Sequence, residues 1–483
     1  MSKEINRSSV DSFAWKTAQS ISSLGITFVI QLILARMLMP ENFGLIAITN
    51  VFMTLANTIV ETSFSSAIIQ RDSVSQKMLS SMFFANLFLS ATIYMILFLI
   101  APLLAMFYEE QILILLLRIQ GIRVVISAFH SIQQALMNRE MRFKALFFCY
   151  LIGSVMQALT GIAMAYYGRG IWALVVSSCV GTVVTALAII AAEHWKPNLY
   201  FSFILIKDAL LFSSKILIAR VVKKIYYNIR VLAIGKVYDA EVLGYFNKGF
   251  QFPSTAITVV DGSLTSVAFT HLAKLQKEKD QFLNSLRQYV RYAMFVCTPI
   301  MVGMALVAKP LVLLLLTQRW IECVPYLQII CLSQLFIPLS IKITAFESLG
   351  RSDLSMRLNV LGIVISIVLL FASMPFSPLV MTFSAVVSNL LLQAITTALT
   401  AKQLQYSVQD QMKDALCGLV PTAVMAVTVV LVGWLNFRDH YLLEVAVKVA
   451  SGVCSFVLAC MATRNAIFYS IWDVAKGKLR RNT

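Results

Sequence analysis

KILIARVVKKIYYNIRVLAIGK, residues Lys215 to Lys236, holds six lysines and arginines and no acid, yet most of the rest is Ile, Leu, Val and Ala. At 100° per residue of helix, Arg220, Lys223, Lys224, Tyr227, Asn228 and Arg230 fall within an arc of about 160°. Ile218, Val222, Ile225 and Ile229 occupy the other side. Two readings compete. The helix lies on anionic headgroups as an interfacial amphipath, or it crosses the membrane with its cationic face toward water. In lipid each centrally placed cation costs roughly 2.5–3.5 kcal/mol, and four cost on the order of 10 kcal/mol. A crossing helix therefore needs a wet cavity beside its charged face and, at times, an anion inside it.

The surrounding chain favours crossing. Its 483 residues are 59% hydrophobic and 13% charged, with a mean hydropathy of +0.79. Runs of about 20 apolar residues recur along the whole length, each long enough to span a bilayer. We expect about fourteen spans, near 15–38, 43–69, 79–106, 111–136, 143–167, 171–192, 209–233, 242–270, 287–308, 322–349, 355–374, 377–400, 412–435 and 442–467. The N-terminus MSKEINRSSVDSFAWK is polar for too long to be a secretory signal, so the first run is expected to remain as a helix. Alternate connections hold about 23 and about 7 Lys and Arg, which puts both termini in the cytoplasm. Arg139, Arg142, Lys274, Lys277 and Arg351 lie on the richer side, and Arg36, Arg169 and Lys309 on the poorer. Without a span at 209–233 the bias of every later loop would reverse. The net charge of +17 is thereby explained by topology, and no nucleic-acid partner is expected.

An ungapped repeat appears at an offset of 200 residues. Glu41, Gly44, Phe52, Ala56, Thr58, Val60, Ser63 and Ser66 match Glu241, Gly244, Phe252, Ala256, Thr258, Val260, Ser263 and Ser266, and Glu61 faces Asp261. The offset spans six helices, an even number, so the halves share one orientation. The expected division is a six-helix bundle over 1–200, its repeat over 201–405, and two extra helices with a basic tail over 406–483.

Other spans carry polar faces. Gln120, Arg123, Ser127, His130 and Gln134 fall within an arc of about 80° on the fourth, with Arg118 near its start. Asn50, Thr54, Asn57, Glu61 and Ser65 line one side of the second. Asn247, Gln251, Ser254, Thr258, Asp261 and Thr265 repeat that face on the eighth, where Pro253 is expected to kink the helix. The intramembrane cations are Arg118, Arg123, Arg220, Lys223, Lys224, Arg230, Lys248 and Lys342, against the acids Glu61, Asp261 and Glu347. This sign suits an anionic cargo, phosphate or pyrophosphate above all. Glu61 and Asp261 have two readings, as proton or sodium sites or as structural partners of nearby cations and hydroxyls. His130 either titrates in gating or packs as a hydrogen-bonded group. The eight cysteines form no CxxC pair, and no metal site, cofactor, catalytic Ser/His/Asp set or phosphate-cradling glycine loop is evident. The chain does not read as an enzyme.

LARMLMPENFGLIAITNVFMTLANTIVETSFSSAIIQRD, Leu34 to Asp72, resembles the opening of bacterial polysaccharide exporters. They belong to the multidrug/oligosaccharidyl-lipid/polysaccharide flippase superfamily. GKVYDAEVLGYFNKGFQFP (Gly235–Pro253), RWIECVPYLQIICL (Arg319–Leu332) and ESLGRSDLSMRLNV (Glu347–Val360) are similar to later parts of its colanic-acid and teichuronic-acid exporter branch. The resemblance implies a MATE-like all-α fold of two six-helix bundles around a V-shaped cavity. It implies flipping of polyprenyl-pyrophosphate-linked oligosaccharide units across the bacterial inner membrane by alternating access. The partners it implies are that substrate, membrane lipids, and a polysaccharide polymerase or other assembly protein, with the chain itself a monomer. In similar lipid II flippases the last two helices help form a groove for the lipid tail, a place taken here by Asp414–Trp434 and Leu442–Ile467. No single residue carries over from the family. The candidate substrate set of Arg220, Lys223, Lys224, Tyr227, Arg230, Arg118, Arg123, His130 and Gln134 rests on helical geometry. A cation-coupled drug exporter of the same superfamily would want acids in the cavity. A membrane polymerase would want a large outer loop, whereas every outer connection here is shorter than about 15 residues.

Overall fold

The computed structural model describes residues 25–70, 73–435 and 440–479, with the single positions 15, 19, 22 and 437. Arg480 and Arg481, and most of the first ten residues of the first expected span, lie outside the described residues. Every described element is helical. Among the described residues twelve helical segments are long and apolar enough to cross a membrane. The chain divides into two compact units, 1–244 and 245–483.

The first unit contains α1 (Gly25–Met37), α2 (Pro40–Gln70), α3 (Gln76–Tyr108), α4 (Ile112–Arg139), α5 (Phe143–Tyr166), α6 (Trp172–Ala192), α7 (Phe203–Val237) and the first residues of α8 (Ala240–Lys274). Its helices start and stop where local chemistry allows. Ser75 caps α3 by accepting from the Met78 amide at 3.3 Å, which satisfies one of the donors left free at a helix start. At the other end Glu109 turns left-handed, with φ of 62°. Helices α2, α3, α4 and α7 share an apolar core of Phe64, Ile68, Met82, Phe83, Ile132 and Ile206. A second core joins Met53 and Val60 to Ala101, Leu117 and Val124. Helix α5 lies so close to α6 that a β-carbon at Gly153 would overlap the Thr185 hydroxyl, as small residues permit between membrane helices.

The charged helix α7 is not among the twelve apolar spans, and its charge rather than its 35-residue length excludes it. Its attitude is set by α3, which is 33 residues long with no acid and only Lys77 as a cation. At one end the Ser202 amide donates to the Ser81 hydroxyl at 3.0 Å. At the other, the Tyr108 hydroxyl donates to the Leu232 carbonyl at 3.4 Å, and Lys236 pairs with Glu109 at 3.0 Å. The two helices therefore run parallel over the same thickness. Helix α7 also runs antiparallel along α2, with Ile206 in the core that holds Ile68 and Gly235 beside Ile48. Helix α7 thus lies alongside two helices that contain apolar spans long enough to cross a membrane. The polar connection before α7 is tied down as well: Trp195 Nε1 donates to Gln76 Oε1 at 2.6 Å, and Gln76 Nε2 to the Lys196 carbonyl at 2.7 Å.

Helices α2 and α8 begin in reciprocal contact. A β-carbon on Gly44 would overlap the Ala240 carbonyl, and one on Gly244 would overlap the Pro40 carbonyl. The offset of 200 exchanges Gly44 with Gly244 and Pro40 with Ala240. Glycine is required at both places because backbone meets backbone there.

The second unit continues α8 and adds α9 (Lys279–Leu306), α10 (Ala308–Leu315), α11 (Cys323–Gln334), α12 (Ile341–Ser348), α13 (Ser352–Ser373), α14 (Pro378–Leu404), α15 (Val408–Ala415), α16 (Leu419–Gly433), α17 (Tyr441–Ala462) and α18 (Ala466–Leu479). Pro253 lies inside α8, which remains helical on both sides of it. The span expected at 322–349 is interrupted by a 3-10 turn, Ile337–Ser340, containing Pro338. The span expected at 412–435 is likewise two helices, α15 and α16, joined at 416–418. Helices α16 and α17 pack together, with α16 against α9 and α17 against α10; Val307, Met425 and Val429 form the shared core.

Candidate functional site

A cavity of about 750 Å³ lies within the first unit. Three helices line it. Helix α2 presents Thr58, Glu61, Ser65 and Ile69; α4 presents Ser131, Gln134, Ala135 and Asn138; α7 presents Arg220, Lys223, Lys224 and Tyr227. Each set recurs at three- and four-residue spacing, so each is one stripe of a helix. The lining carries three cations against one carboxylate. Lys223 Nζ stands 5.9 Å from the Tyr227 ring centre. The charge of Lys224 reaches Glu61, but no ion pair within 4 Å joins them among the described residues. On the other face of α7, Ile218 and Val222 are 63% and 52% exposed, the pattern of a helix with lipid on one side and water on the other.

The nine candidate substrate residues do not converge on one place. Arg220, Lys223, Lys224, Tyr227 and Gln134 line the cavity together with Glu61. Arg230 is half-buried further along α7. Arg123 donates through Nε to the Thr182 hydroxyl of α6 at 3.0 Å. Arg118 lies over the Phe98 ring of α3 at 4.0 Å. His130 is buried, with Nδ1 3.3 Å from the Ile126 carbonyl. Gln120 donates to the Thr49 hydroxyl at 3.2 Å, joining α4 to α2. Asp261 is half-buried on α8 in the second unit. Lys248 and Lys342 are buried there too. Lys248 Nζ donates to Gln251 Oε1 at 3.0 Å, and Lys342 Nζ to the Thr397 hydroxyl at 2.7 Å.

Two ionic groups were not legible as such in the sequence. Lys448 of α17 pairs with Glu444 at 2.5 Å one turn earlier. Asp414 of α15, its side chain 2% exposed, is held by Arg287 at 2.8 Å and Arg291 at 2.5 Å, both of α9. The Tyr406 hydroxyl donates to the same carboxylate at 2.7 Å. Burial, and then that bond to Asp414, push the Tyr406 phenol well above its usual range. A signal did exist: RQYVR (287–291) and DQMKD (410–414) each space like charges four residues apart. Among the described residues no group of three or more His, Cys, Asp and Glu could hold a metal ion.

Fold and site together define an all-helical, multi-pass membrane protein with a net-cationic cavity enclosed by three helices of its first unit. The chain belongs to the polysaccharide biosynthesis protein family, whose model matches residues 33–325. It is 23% identical over 397 residues to an uncharacterized membrane protein in the cps region of Klebsiella pneumoniae, covering 81% of each chain. It is 21% identical over 355 residues to lipopolysaccharide biosynthesis protein WzxC of Escherichia coli K12, covering 72% of this chain and 71% of that one. Among solved structures it is similar to the lipid II flippase MurJ in an inward closed conformation, with a TM-score of 0.77 at 14% identity over 94% of this chain and 99% of that one. An inward-facing multidrug resistance MATE transporter superposes with a TM-score of 0.64 at 14% identity, over 80% of this chain and 95% of that one. These two likenesses describe the fold.

Proposed function

We propose that the protein flips polyprenyl-pyrophosphate-linked oligosaccharide units across the bacterial inner membrane by alternating access, in the making of a surface polysaccharide. The observation that carries this reading is the sign and lining of the cavity. Among the described lining residues, Arg220, Lys223 and Lys224 stand with a single acid, Glu61, amid Ser, Thr, Asn and Gln. Pyrophosphate asks for clustered Lys and Arg; sugar hydroxyls ask for neutral donors and acceptors and for an aromatic face such as Tyr227. The prenyl chain needs no polar path and stays in lipid. Family membership and the lipopolysaccharide biosynthesis role of its relative in Escherichia coli support the cargo class.

In this reading α1 and α7 join the twelve apolar spans to make fourteen crossings, of which α1 is the first and α7 the seventh. The segments 1–200 and 201–405 descend from one six-helix repeat, a view supported by the reciprocal Gly44 and Gly244 contacts. Both termini are cytoplasmic, so the cavity, at the ends of α2 and α4 that carry Ile69 and Asn138, opens toward the cytoplasm, where the substrate is assembled. Arg230 and Arg123 then serve later positions of the phosphate, His130 and Arg118 order α4, and Glu61 and Asp261 act as structural counter-charges. The protein works as a transporter rather than an enzyme, as a monomer that hands its product to a polymerase. A cation-coupled drug exporter, the runner-up, shares the fold but would need the opposite charge in the cavity.

The test is the double variant Arg220→Ala with Lys223→Ala in a strain lacking the native gene. Two lost charge-assisted contacts at roughly 1.5–3 kcal/mol each predict at least a tenfold fall in surface polysaccharide, with the protein still at normal abundance in the membrane. Full restoration of the polysaccharide by the variant rules this site out.

A further inference from the structure

A second cavity, of about 430 Å³, lies in the second unit against the start of α9, lined by Asn284, Ser285, Arg287, Gln288 and Arg291. We propose that it binds the phosphate of an anionic phospholipid headgroup, in the leaflet where α9 begins. This site is separate from the α2–α4–α7 cavity and does not rest on the flippase reading.

Three observations point to it. The first is the donor set. Arg291 engages Asp414 Oδ1 through Nε and one terminal nitrogen, both at 2.5 Å. Its side chain is still 41% exposed, so the outer side of the guanidinium fork remains open to the cavity. Gln288, Asn284 and Ser285 add neutral donors on the same stripe of the helix. The second is rigidity. Asp414, buried and held also by Arg287 and Tyr406, fixes both arginines before any ligand arrives. Tyr406 and its neighbours are fixed in turn, because Gln411 Nε2 donates to the Tyr406 carbonyl at 2.8 Å and Lys342 Nζ to Gln411 Oε1 at 3.3 Å. The third is depth. The polar stretch 284–291 ends where the apolar run Tyr292-Ala293-Met294-Phe295-Val296 begins. Tyr292 shares a 2.8 Å hydrogen bond with Ser470 of α18, whose Tyr469 and Trp472 are 41% and 45% exposed. Aromatic side chains of this kind sit at headgroup level. A phosphate with a glycerol and two acyl chains meets all three: an anion at the arginine fork, and tails along the apolar surface above it.

The experiment is native mass spectrometry of the full-length detergent-purified protein with added phosphatidylglycerol, phosphatidylcholine, or inorganic phosphate and pyrophosphate. Two variants are compared. Arg291→Gln removes one fork and leaves Asp414 with Arg287 and Tyr406. Asn284→Asp leaves the Asp414 clamp whole and places a negative charge in the cavity, so it reads the site even where Arg291→Gln lowers the yield of folded protein. The expected result is phosphatidylglycerol retention that weakens roughly tenfold in each variant, with little phosphatidylcholine bound and no displacement by free phosphate. Equal retention by wild type and Asn284→Asp overturns the site. Equal binding of phosphatidylcholine overturns its preference for anionic lipid. Displacement by free phosphate or pyrophosphate at the same concentration assigns the cavity to a soluble anion and overturns the lipid assignment.

Discussion

Glu61 is the one acid among the described cavity-lining side chains of the first unit, which also include Arg220, Lys223 and Lys224. An anion entering there meets their attraction and the repulsion of Glu61 together. The variant Glu61→Gln keeps the shape and removes the repulsion. Titration of purified protein with pyrophosphate should then show binding several-fold tighter than wild type, and turnover slowed by delayed release. Unchanged affinity would mean that Glu61 does not act on the bound anion. A helical projection was enough to group Arg220, Lys223, Lys224 and Tyr227, because all four ride on one helix. It was not enough for Arg123 and Arg118, because it reveals a face and not the neighbour of that face. Thr182 on α6 and Phe98 on α3 took those two side chains. The clamp on Asp414 was hidden for a related reason: its two arginine partners lie more than 120 residues away in sequence.

The positions of most helices followed from apolar runs. Interruptions did not: Pro338 sits inside an expected span, and the 416–418 joint lies where the polar α15 meets the apolar α16. Helix α7 was the hardest element, since composition alone permits both an upright and a flat helix. Its ties to α3 at Ser81 and Tyr108 set it parallel to that helix, and those ties depend on single polar atoms that no periodicity reveals. The turn between α3 and α4 carries a further consequence. Burial raises the Glu110 carboxyl above its ordinary range, and the negative charge of Glu41 adds to the rise. A group raised in the folded state contributes stability that is fully present below its unfolded pKa, about 4.3 for Glu, and is lost as pH rises through the folded value. Glu110→Gln should therefore raise the thermal unfolding midpoint in detergent at pH 7 and leave it unchanged below about pH 4. An equal shift at both pH values would contradict this origin.

At the scale of the whole molecule, the repeat at offset 200 and the alternation of basic loops were visible in a single sequence because both are long-range regularities. They survive errors of several residues in any one helix. The cavity follows from the same economy. A chain that is 13% charged places three cations on one turn and a half of one helix, and that helix can stand upright only beside polar stripes of α2 and α4. The reading of this arrangement as a path for a lipid-linked, pyrophosphate-bearing sugar is tested most directly by locating the sugar. Polyprenyl-linked oligosaccharides would be measured in spheroplasts of a strain lacking the gene, before and after a membrane-impermeant glycosidase. The account predicts complete repeat units that accumulate and are protected from the enzyme, with protection relieved by the wild-type gene and not by the Arg220→Ala, Lys223→Ala variant. Repeat units that accumulate in a digestible form on the outer face would contradict it, because the step lost would then follow flipping.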